Sequence, residues 1–432
     1  MDKKKSLKKS FQLWKRANEI IPCGTQTLSK GPNMFTYGVF PIYIDHGQGA
    51  YVWDVDGNKY IDYPLALGPI TLGYNYPSTV KAIRKQLSKG TTFTLMHPLE
   101  VEVAELLCDV IPCAEMVRFA KNGADVTTAA VKIARVVTGR EHIAHCGYHG
   151  FHDWYIAGTE HNRGCLKILK NYIHTFKYND MDSLNKIFNS YPNKIAAVIM
   201  EPVSFEKPKS DYLKFVRETA HQNGALFIFD EIVTGFRIAL GGAQDYYNII
   251  PDLATFGKGM ANGMPLSAIV GRKEFMKEAS KIFFSTTYGG ECLSLASAKA
   301  TISEMREKKV QDYLWSLGKH FMDSLKKILI NYEINNFITV SGIPPAFWLN
   351  FMDKSGNEDN NLKGLFFQEI VKRGILIGGL QYISFSHTQS DIDYTLDAFE
   401  AACNISTQAI KENRIESYLE GTPPGNIFVK KK

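Results

Sequence analysis

Helical stretches alternate with short apolar runs from about residue 78 to residue 305, and this alternation limits the possible folds more than any other feature of the sequence. The runs at 195–200, 225–229 and 267–270 are typical examples and contain many β-branched residues. Strands that alternate with helices form a mostly parallel sheet covered by helices on both faces. The sequence therefore predicts an α/β fold, with a large domain over residues 65–305.

The regions on either side of the large domain have a different pattern. Residues 6–21 have apolar side chains at helical spacing, and residues 43–62 are typical of a small antiparallel meander. Further helical stretches and a strand candidate at 345–351 follow the large domain. We predict that residues 1–64 form a helix and a meander that pack with a smaller α+β domain over residues 306–432.

The composition is that of a globular protein, with 432 residues of which 45% are hydrophobic and 22% are charged. The formal net charge of +6 includes lysines at both ends, which we interpret as solvated tails rather than a nucleic-acid-binding surface: Lys3, Lys4, Lys5, Lys8, Lys9 and Lys430–Lys432. No apolar run is long enough to span a membrane, and no secretory signal pattern is present. The seven scattered cysteines lack a CxxC pair and favour reduced thiols, so we expect a cytoplasmic protein that binds neither nucleic acid nor membrane.

One lysine lies between two glycines directly after an apolar run. The stretch 253–265 reads LATFGKGMANGMP, with Lys258 between Gly257 and Gly259. The glycines remove side-chain bulk and permit unusual backbone angles, so a flat molecule could approach the lysine closely. Burial would favour the neutral amine, which is the form that a Schiff-base enzyme needs. The alternative is an ordinary surface lysine in a glycine-rich loop.

Acidic residues follow two of the other apolar runs. Asp230 comes directly after the run at 225–229, and Glu201 comes directly after the run at 195–200. Open α/β sheets bind ligands at the carboxyl ends of their strands, so a carboxylate and Lys258 could share one crevice. Either acid could instead be a turn residue at the end of a strand.

A glycine turn that opens a helix lies further upstream, where residues 121–130 read KNGADVTTAA. Backbone N–H groups at the start of a helix, supported by the helix dipole, bind phosphate. The turn lacks the GxxxxGK[ST] pattern, so we do not expect a nucleoside triphosphate loop. The turn is therefore a candidate site for a single phosphate group.

The segment 145–152 reads HCGYHGFH and permits two interpretations. Its histidines, together with His142, could form a metal site, but the glycines interrupt the helix that would align His145 with His149. We therefore expect no metal. The other interpretation is that Tyr148 is an aromatic platform on which a flat ring stacks.

A phosphate-binding turn, a stacking aromatic, a carboxylate and a Schiff-base lysine are the four contacts that pyridoxal 5'-phosphate (PLP) requires. The carboxylate keeps the pyridine nitrogen protonated, and the ring then accepts electrons from the carbanion that forms when a Cα–H bond breaks. The lysine first holds the cofactor as an imine and then moves the proton. The sequence therefore predicts PLP as the cofactor.

Several segments spread over nearly the whole chain form a specific set: GAYVWDVDGNKYIDY (49–63), LGPITLGYNYP (67–77), CGYHG (146–150), EPV (201–203), DEIVTGFR (230–237), PDLATFGKGMANGMP (251–265), TTYGG (286–290) and FSHTQSDID (385–393). This set resembles the class III (ω-type) PLP-dependent aminotransferases, and within them the glutamate-1-semialdehyde 2,1-aminomutases. The resemblance is specific for cofactor and fold and much less specific for substrate. It implies the PLP-dependent transferase fold type I, with a seven-stranded sheet in the large domain, and a homodimer with shared active sites.

The resemblance also assigns roles around the cofactor ring. It implies that Lys258 is the Schiff-base lysine and that Asp230 is the partner of the pyridine nitrogen. Tyr148 is implied to stack on one face of the ring, and Ile232 to cover the other face.

The remaining assignments concern the phosphate and the neighbourhood of the site. The resemblance implies that the backbone amides of Gly123 and Ala124 bind the phosphate. Thr287 resembles the threonine that reaches the phosphate from the neighbouring subunit. Glu201 and His149 also match family positions, with roles that could be structural.

Three departures from the family pattern bear on the substrate. Asn-Gly-Ala-Asp-Val replaces the usual Ser-Gly-Thr-Glu-Ala of the phosphate turn, so Ala124 offers no hydroxyl. Lys30 stands where the aminomutases have an arginine that clamps the substrate carboxylate, and lysine lacks the planar two-pronged fork. Glu291 stands where asparagine is common, in a segment that resembles ordinary ω-aminotransferases. We therefore regard Lys30, Glu291, Glu201 and His149 as candidate substrate residues.

These departures favour an aminotransferase that moves an amino group from an amino-acid donor to a carbonyl acceptor, such as a sugar-derived aldehyde or ketone. The first alternative is a true glutamate-1-semialdehyde 2,1-aminomutase, in which the amino group moves within one molecule. The second is a non-catalytic homologue, against which the joint presence of Lys258, Asp230 and Tyr148 argues.

Overall fold

The computed structural model describes residues 5–425. The terminal lysines Lys3, Lys4 and Lys430–Lys432 lie outside the described residues. The chain divides into two compact units. The large unit comprises residues 68–71 and 77–311, and the small unit comprises residues 5–67, 72–76 and 312–425. The three-part division at residues 64 and 305 stays a prediction.

The α-helices within the described residues are α1 (Lys8–Ile20), α2 (Pro77–Leu87), α3 (Pro98–Val110), α4 (Gly123–Thr138), α5 (Asp153–Ile156), α6 (Met181–Ser190), α7 (Tyr212–Gln222), α8 (Ala243–Tyr247), α9 (Lys273–Met276), α10 (Cys292–Glu307), α11 (Val310–Asn331), α12 (Asn360–Lys372) and α13 (Gln389–Lys411).

The strands are β1 (Ile44–Gln48), β2 (Tyr51–Asp54), β3 (Lys59–Asp62), β4 (Met116–Ala120), β5 (His142–Cys146), β6 (Ile173–Thr175), β7 (Ile195–Met200), β8 (Leu226–Asp230), β9 (Leu253–Phe256), β10 (Ser267–Gly271), β11 (Ile338–Ile343), β12 (Ala346–Phe351), β13 (Ile375–Leu376) and β14 (Leu380–Tyr382).

The large unit contains a seven-stranded sheet with the order β4-β10-β9-β8-β7-β5-β6. Strand β10 is antiparallel to both of its neighbours, and the other pairs, from β9 to β6, are parallel. The prediction of an α/β fold with a mostly parallel sheet is confirmed. The connection between β9 and β10 covers residues 257–266, which is shorter than the dozen or so residues that a parallel crossover needs, so β10 returns antiparallel.

The middle of this sheet is buried on both faces. Every residue of β7 and of β8 is buried, which explains why both strands appear in the sequence as continuous apolar runs rather than as alternating patterns. Helix α4 packs on the sheet through small and β-branched side chains such as Ala130 and Ile133. This packing fixes the amino end of α4 beside the carboxyl ends of the strands.

The small unit contains the predicted N-terminal meander. Strands β1, β2 and β3 are antiparallel, and β3 also pairs in parallel with β13, so Ile61 lies opposite Ile375. A second sheet has the order β11-β12-β14, and the strand candidate at 345–351 corresponds to β12. The N-terminal and C-terminal parts of the chain therefore share one sheet within this unit.

Two further predictions concern the environment of the protein. Within residues 5–425 no helix is both long enough and apolar enough to cross a lipid bilayer. All seven cysteines are free thiols.

Candidate functional site

Chemically active side chains lie at the carboxyl ends of neighbouring parallel strands. Asp230 is the last residue of β8, Glu201 follows β7, and Lys258 follows β9 after one glycine. The register pairs Asp230 with Thr255 of β9. All of these residues belong to the large unit, so the fold of that unit alone brings them to one edge of the sheet.

Asp230 is a buried carboxylate that has several hydrogen-bond donors. Its side chain is 3% exposed, and its Oδ2 lies 2.8 Å from Nδ1 of His149, whose side chain is fully buried. The Oδ1 atom accepts from the backbone N–H of Ile232 at 3.1 Å and from Oγ1 of Thr255 at 3.3 Å. Donors on both oxygens stabilise the ionised carboxylate in an apolar site.

Lys258 begins a short 3₁₀ turn over Lys258–Ala261, and its backbone has a φ of +30°. Among the described residues, its amine makes no hydrogen bond and no salt bridge. Burial lowers the pKa of Lys258, and the charge of Arg237 acts in the same direction, while the carboxylates of Glu201 and Asp230 oppose the shift. The amine is therefore closer to its neutral, nucleophilic form than a surface lysine is.

Glu201 anchors the loop that carries Tyr148. Its Oε2 accepts a hydrogen bond from the backbone N–H of Tyr148 at 3.0 Å. The preceding residue, Gly147, has a φ of +106°, and a Cβ atom there would lie 2.4 Å from Oε2 of Glu201. Burial, and to a smaller extent the charge of Asp230, raise the pKa of Glu201.

Tyr148 itself is more exposed than a stacking platform within a closed site would be. Its side chain is 62% exposed, and its ring makes an edge-to-face contact with Tyr155 at a centroid distance of 5.7 Å. Burial and the charge of Asp230 raise the pKa of Tyr148, which places the phenol within the field of that carboxylate. The ring is available to a flat ligand, and its stacking role remains a prediction.

The amino end of α4 supplies a candidate phosphate site. Helix α4 begins at Gly123, and the backbone N–H of Asn122 donates to Oδ2 of Asp125 at 2.8 Å. The first N–H groups of a helix have no partners within the helix, so those of Gly123 and Ala124 can receive an anion. A Cβ atom at Gly123 would lie 3.2 Å from Cδ1 of Ile232, which shows that the predicted phosphate and ring-covering residues are adjacent.

Glu291 has an evident structural task. It precedes α10 and accepts from the backbone N–H groups of Leu293 at 2.6 Å and Ser294 at 3.2 Å. It also accepts from Oγ of Ser294 at 2.6 Å and forms a salt bridge of 3.0 Å with Lys121. Burial alone would raise the pKa of Glu291, but the hydrogen bonds from Ser294, Lys121 and Leu293 lower it. The carboxylate thus caps α10 and ties it to the end of β4, and its substrate role remains a prediction.

The two remaining predicted residues, Thr287 and Lys30, are both exposed. Thr287 is exposed in the segment between α9 and α10, and its hydroxyl has no hydrogen bond among the described residues. Lys30 is exposed and belongs to the small unit, where its charge lowers the pKa of Asp62 against the larger, opposite effect of burial. The roles assigned to Thr287 and Lys30 remain predictions.

Sequence reasoning assigned no role to the side chains of Thr255 and Lys121. Thr255 could have been found, because parallel pairing of β8 with β9 places it opposite Asp230. The contact between Lys121 and Glu291 joins positions far apart in the chain, and no local pattern predicts it.

The histidines His145 and His149 of segment 145–152 have different hydrogen-bond partners. Within residues 5–425 no group of three or more His, Cys, Asp or Glu side chains is placed to hold a metal ion. His145 accepts from or donates to Oγ1 of Thr175 at 2.9 Å, and burial lowers its pKa to about 3, so its ring is neutral. His149 instead pairs with Asp230.

The arrangement can therefore perform a defined kind of chemistry. A partly buried amine with a lowered pKa lies in the field of two carboxylates and can add to a carbonyl group or move a proton. A buried carboxylate that is held by three donors can pair with a protonated ring nitrogen.

A family model and individual relatives both match this chain over most of its length. The model of the family described as aminotransferase class III matches residues 35–398. Over 408 residues the chain is 35% identical to a 3-aminobutyryl-CoA aminotransferase of Cloacimonas acidaminovorans (strain Evry), and the match covers 92% of this chain and 97% of that protein. It is also 35% identical over 429 residues to a glutamate-1-semialdehyde 2,1-aminomutase of Alkaliphilus oremlandii (strain OhILAs), covering 92% and 99%.

A solved structure agrees with these relatives. The FumI protein of Sphingopyxis sp. MTA144, solved in its PLP internal aldimine form, superposes with a TM-score of 0.89 at 26% sequence identity. The superposition covers 98% of this chain and 100% of that one.

Proposed function

This chain belongs to the class III aminotransferases, and we propose that it transfers an amino group from an amino-acid donor to a separate carbonyl acceptor. The predicted family, the fold type I architecture, the enzyme class and the PLP cofactor are confirmed by the relationships described above. Small molecules are therefore its donor and acceptor.

The residues of the site fit PLP. Lys258 would hold the cofactor covalently, Asp230 would pair with its ring nitrogen, and the first N–H groups of α4 would bind its phosphate. The glycines Gly123 and Gly257 keep the space beside Ile232 free of other side chains. When bound, PLP supplies an aldehyde and a ring that accepts electrons from a substrate carbon.

One observation supports the proposal most strongly: Asp230 ends β8 and Lys258 closely follows the adjacent parallel strand β9, with no hydrogen-bond partner for the lysine amine among the described residues. We propose that Lys258 takes the proton from the substrate carbon that carries the amino group. His149, Ile232 and Thr255 all contact the oxygens of Asp230 and hold the carboxylate in one orientation.

The proposal is tested with a Lys258→Ala variant. We expect the wild-type protein to absorb visible light with PLP, to be labelled at Lys258 after borohydride reduction, and to form a keto acid from an amino-acid donor. The Lys258→Ala variant should lose the covalent label and at least about 10³-fold in rate, because the nucleophile and the proton-transfer group are the same side chain. Lys132→Ala removes an exposed lysine on α4 and should change neither readout. A wild-type protein that binds no PLP would contradict the assignment.

The second candidate function is an aminomutase, which the relative from Alkaliphilus favours. Lys30 in place of the expected arginine argues against it. Incubation with glutamate 1-semialdehyde decides between the two: efficient formation of 5-aminolevulinate without a second amino donor would support the mutase.

The identity of the acceptor calls for a panel rather than a single substrate. The sugar-derived carbonyl that we predicted is one member. The name of the Cloacimonas relative adds 3-aminobutyryl-CoA as a donor and its keto counterpart as an acceptor. A ratio of kcat/KM values above about tenfold between classes would correspond to about 1.4 kcal/mol of discrimination and would identify the preferred class.

We further propose a cytoplasmic homodimer with shared active sites. The exposed Thr287 lies in a segment with Phe283, which is 89% exposed, and with Tyr288, which is 59% exposed, and a second copy would cover these side chains. The free thiols support the location.

Light scattering should therefore give twice the mass of the chain, and cell fractionation should place it in the cytosol. Thr287→Val should weaken PLP binding. Mixing it with the inactive Lys258→Ala variant should restore activity, because one site of the mixed dimer then has both residues. A monomer, or no recovery on mixing, would contradict the shared site.

A further inference from the structure

We propose that Glu201 is a positioning residue of this site: its Oε2 holds the Tyr148 loop, and its charge acts on the amine of Lys258. From the sequence, Glu201 was a strand-end acid and a candidate substrate residue whose role could also be structural. The inference rests on the proposed function, because the Lys258 linkage to PLP provides its readout.

The first part of the proposal follows from how the loop is held. The carboxylate accepts the N–H of Tyr148 at 3.0 Å, and the backbone N–H of Glu201 itself donates to the carbonyl of Cys146 at 3.2 Å. On the other side, the hydroxyl of Tyr155 donates to the carbonyl of Gly147 at 3.0 Å. The loop is therefore fixed at consecutive residues, and Glu201 is the only charged group among these contacts.

Close packing makes this contact specific. A Cβ atom at Gly147 would lie 2.4 Å from Oε2 and 2.9 Å from Cγ of Glu201. The loop backbone thus rests directly on the carboxylate, with no room for a side chain between them. Because Tyr148 follows Gly147, the position of its ring depends on Glu201.

The second part follows from the charges around the site. Asp230, His149 and Lys258 all act electrostatically on Glu201, and Cys146 and Tyr155 lie within its field. Lys258 in turn feels Glu201, Asp230 and Arg237. The charges of Glu201 and Asp230 thus oppose the lowering of the Lys258 pKa by burial. Asp230 already accepts hydrogen bonds from three donors. Glu201 follows β7 and Lys258 follows β9, so both residues lie at the same edge of the sheet, on either side of β8 and Asp230.

Two substitutions at Glu201 distinguish its contact with the Tyr148 loop from the effect of its charge on Lys258. Glu201→Gln keeps an oxygen that can accept the N–H of Tyr148 but removes the charge. Glu201→Ala removes both. Glu206→Gln makes the same change of charge at an exposed position of the following loop and serves as the matched control.

The measurements are made on the PLP-loaded protein and do not rely on turnover. The visible absorption band is titrated with pH to follow the protonation of the Lys258 nitrogen, and PLP dissociation is measured by dialysis. Removal of a nearby negative charge disfavours the protonated form, so Glu201→Gln should shift the transition to lower pH by about one unit, with PLP affinity retained. Glu201→Ala should show the same shift and bind PLP about tenfold more weakly, because Tyr148 is no longer held. Glu206→Gln should match the wild type.

Each result bears on a different statement. If the Glu201→Gln transition coincides with that of the wild type, the charge of Glu201 does not act on Lys258 and that part is overturned. If Glu201→Ala binds PLP as tightly as the wild type, the positioning part is overturned. A wild-type protein without the band would contradict the proposed function and the inference with it. A normal band, an unshifted Glu201→Gln transition and unchanged PLP affinity in Glu201→Ala would together overturn the inference alone.

Discussion

Replacing Gly147 with alanine should destabilise the protein more than the same change at a glycine of similar backbone conformation. Gly147 has a φ of +106°, which L residues rarely adopt, and the new Cβ would lie 2.4 Å from Oε2 of Glu201. The matched position is Gly164, which has a φ of +90° and where a new Cβ atom would meet nothing within 4 Å. Gly164→Ala therefore measures backbone strain alone.

The magnitude can be worked from these contacts. Strain at a left-handed non-glycine residue costs about 1–3 kcal/mol and is common to both variants. In Gly147→Ala, the Glu201 side chain must also move away, which breaks its hydrogen bond with the N–H of Tyr148. A hydrogen bond to a charged group contributes about 1.5–3 kcal/mol, so we expect Gly147→Ala to exceed Gly164→Ala by that amount.

Urea unfolding of both variants, followed by far-ultraviolet circular dichroism without added PLP, measures the difference. The slopes of the transitions should agree with those of the wild type, so that the midpoints report stability. Equal losses at the two positions would refute the reasoning, because the contact between the loop and Glu201 would then contribute nothing. Gly147→Ala combined with Glu201→Ala serves as a cross-check: removal of the obstructing carboxylate should make the two substitutions strongly non-additive.

Three further outcomes are expected. Asp230→Asn should lower kcat/KM by about 10²-fold or more, because the ring nitrogen loses its anion, and should change folding little, because His149 keeps a hydrogen-bond partner. Steady-state kinetics and urea unfolding measure the two effects, and an unchanged kcat/KM would contradict the assignment. Burial lowers the pKa of His145 from 6.5 to about 3, so unfolding takes up a proton below pH 6.5 and the free energy of unfolding should fall as the pH drops towards 3. The dependence of this free energy on pH should be steeper than in His145→Gln by up to about 1.4 kcal/mol per pH unit. Equal pH dependence in the two proteins would contradict the assignment. Glu291→Ala should destabilise the protein by about 1–2 kcal/mol through loss of the α10 cap, whereas Lys121→Met should cost less in the same urea assay, and the reverse order would contradict the capping role.

The large unit could be predicted from the sequence because its strands carry their own signals. Runs such as 195–200 are apolar throughout since both faces of the sheet are covered, and the acids and the lysine follow them directly. The position of Asp230 and Lys258 at one sheet edge then follows from parallel pairing. The antiparallel direction of β10 could also have been predicted, because the connection over residues 257–266 is too short for a parallel crossover.

The partners of individual side chains could not be predicted in the same way. The salt bridge of Glu291 with Lys121 depends on packing between α10 and the end of β4, which no local pattern encodes. For the same reason, the helix cap that Glu291 provides was not predicted, and its substrate role stays a prediction. The exposure of the Tyr148 side chain likewise depends on the contact between its loop and Glu201, which the CGYHG motif does not predict.

The crowding around Ile232 has a consequence for engineering. A Cβ atom at Gly257 would lie 3.1 Å from Cδ1 of Ile232, and its next contact would be the carbonyl of Leu266 at 3.7 Å. Valine lacks that δ carbon. The two sites should consequently compensate for each other: Gly257→Ala should be harmful alone and tolerated together with Ile232→Val. Directed evolution would therefore reach the double variant more readily if Ile232→Val came first.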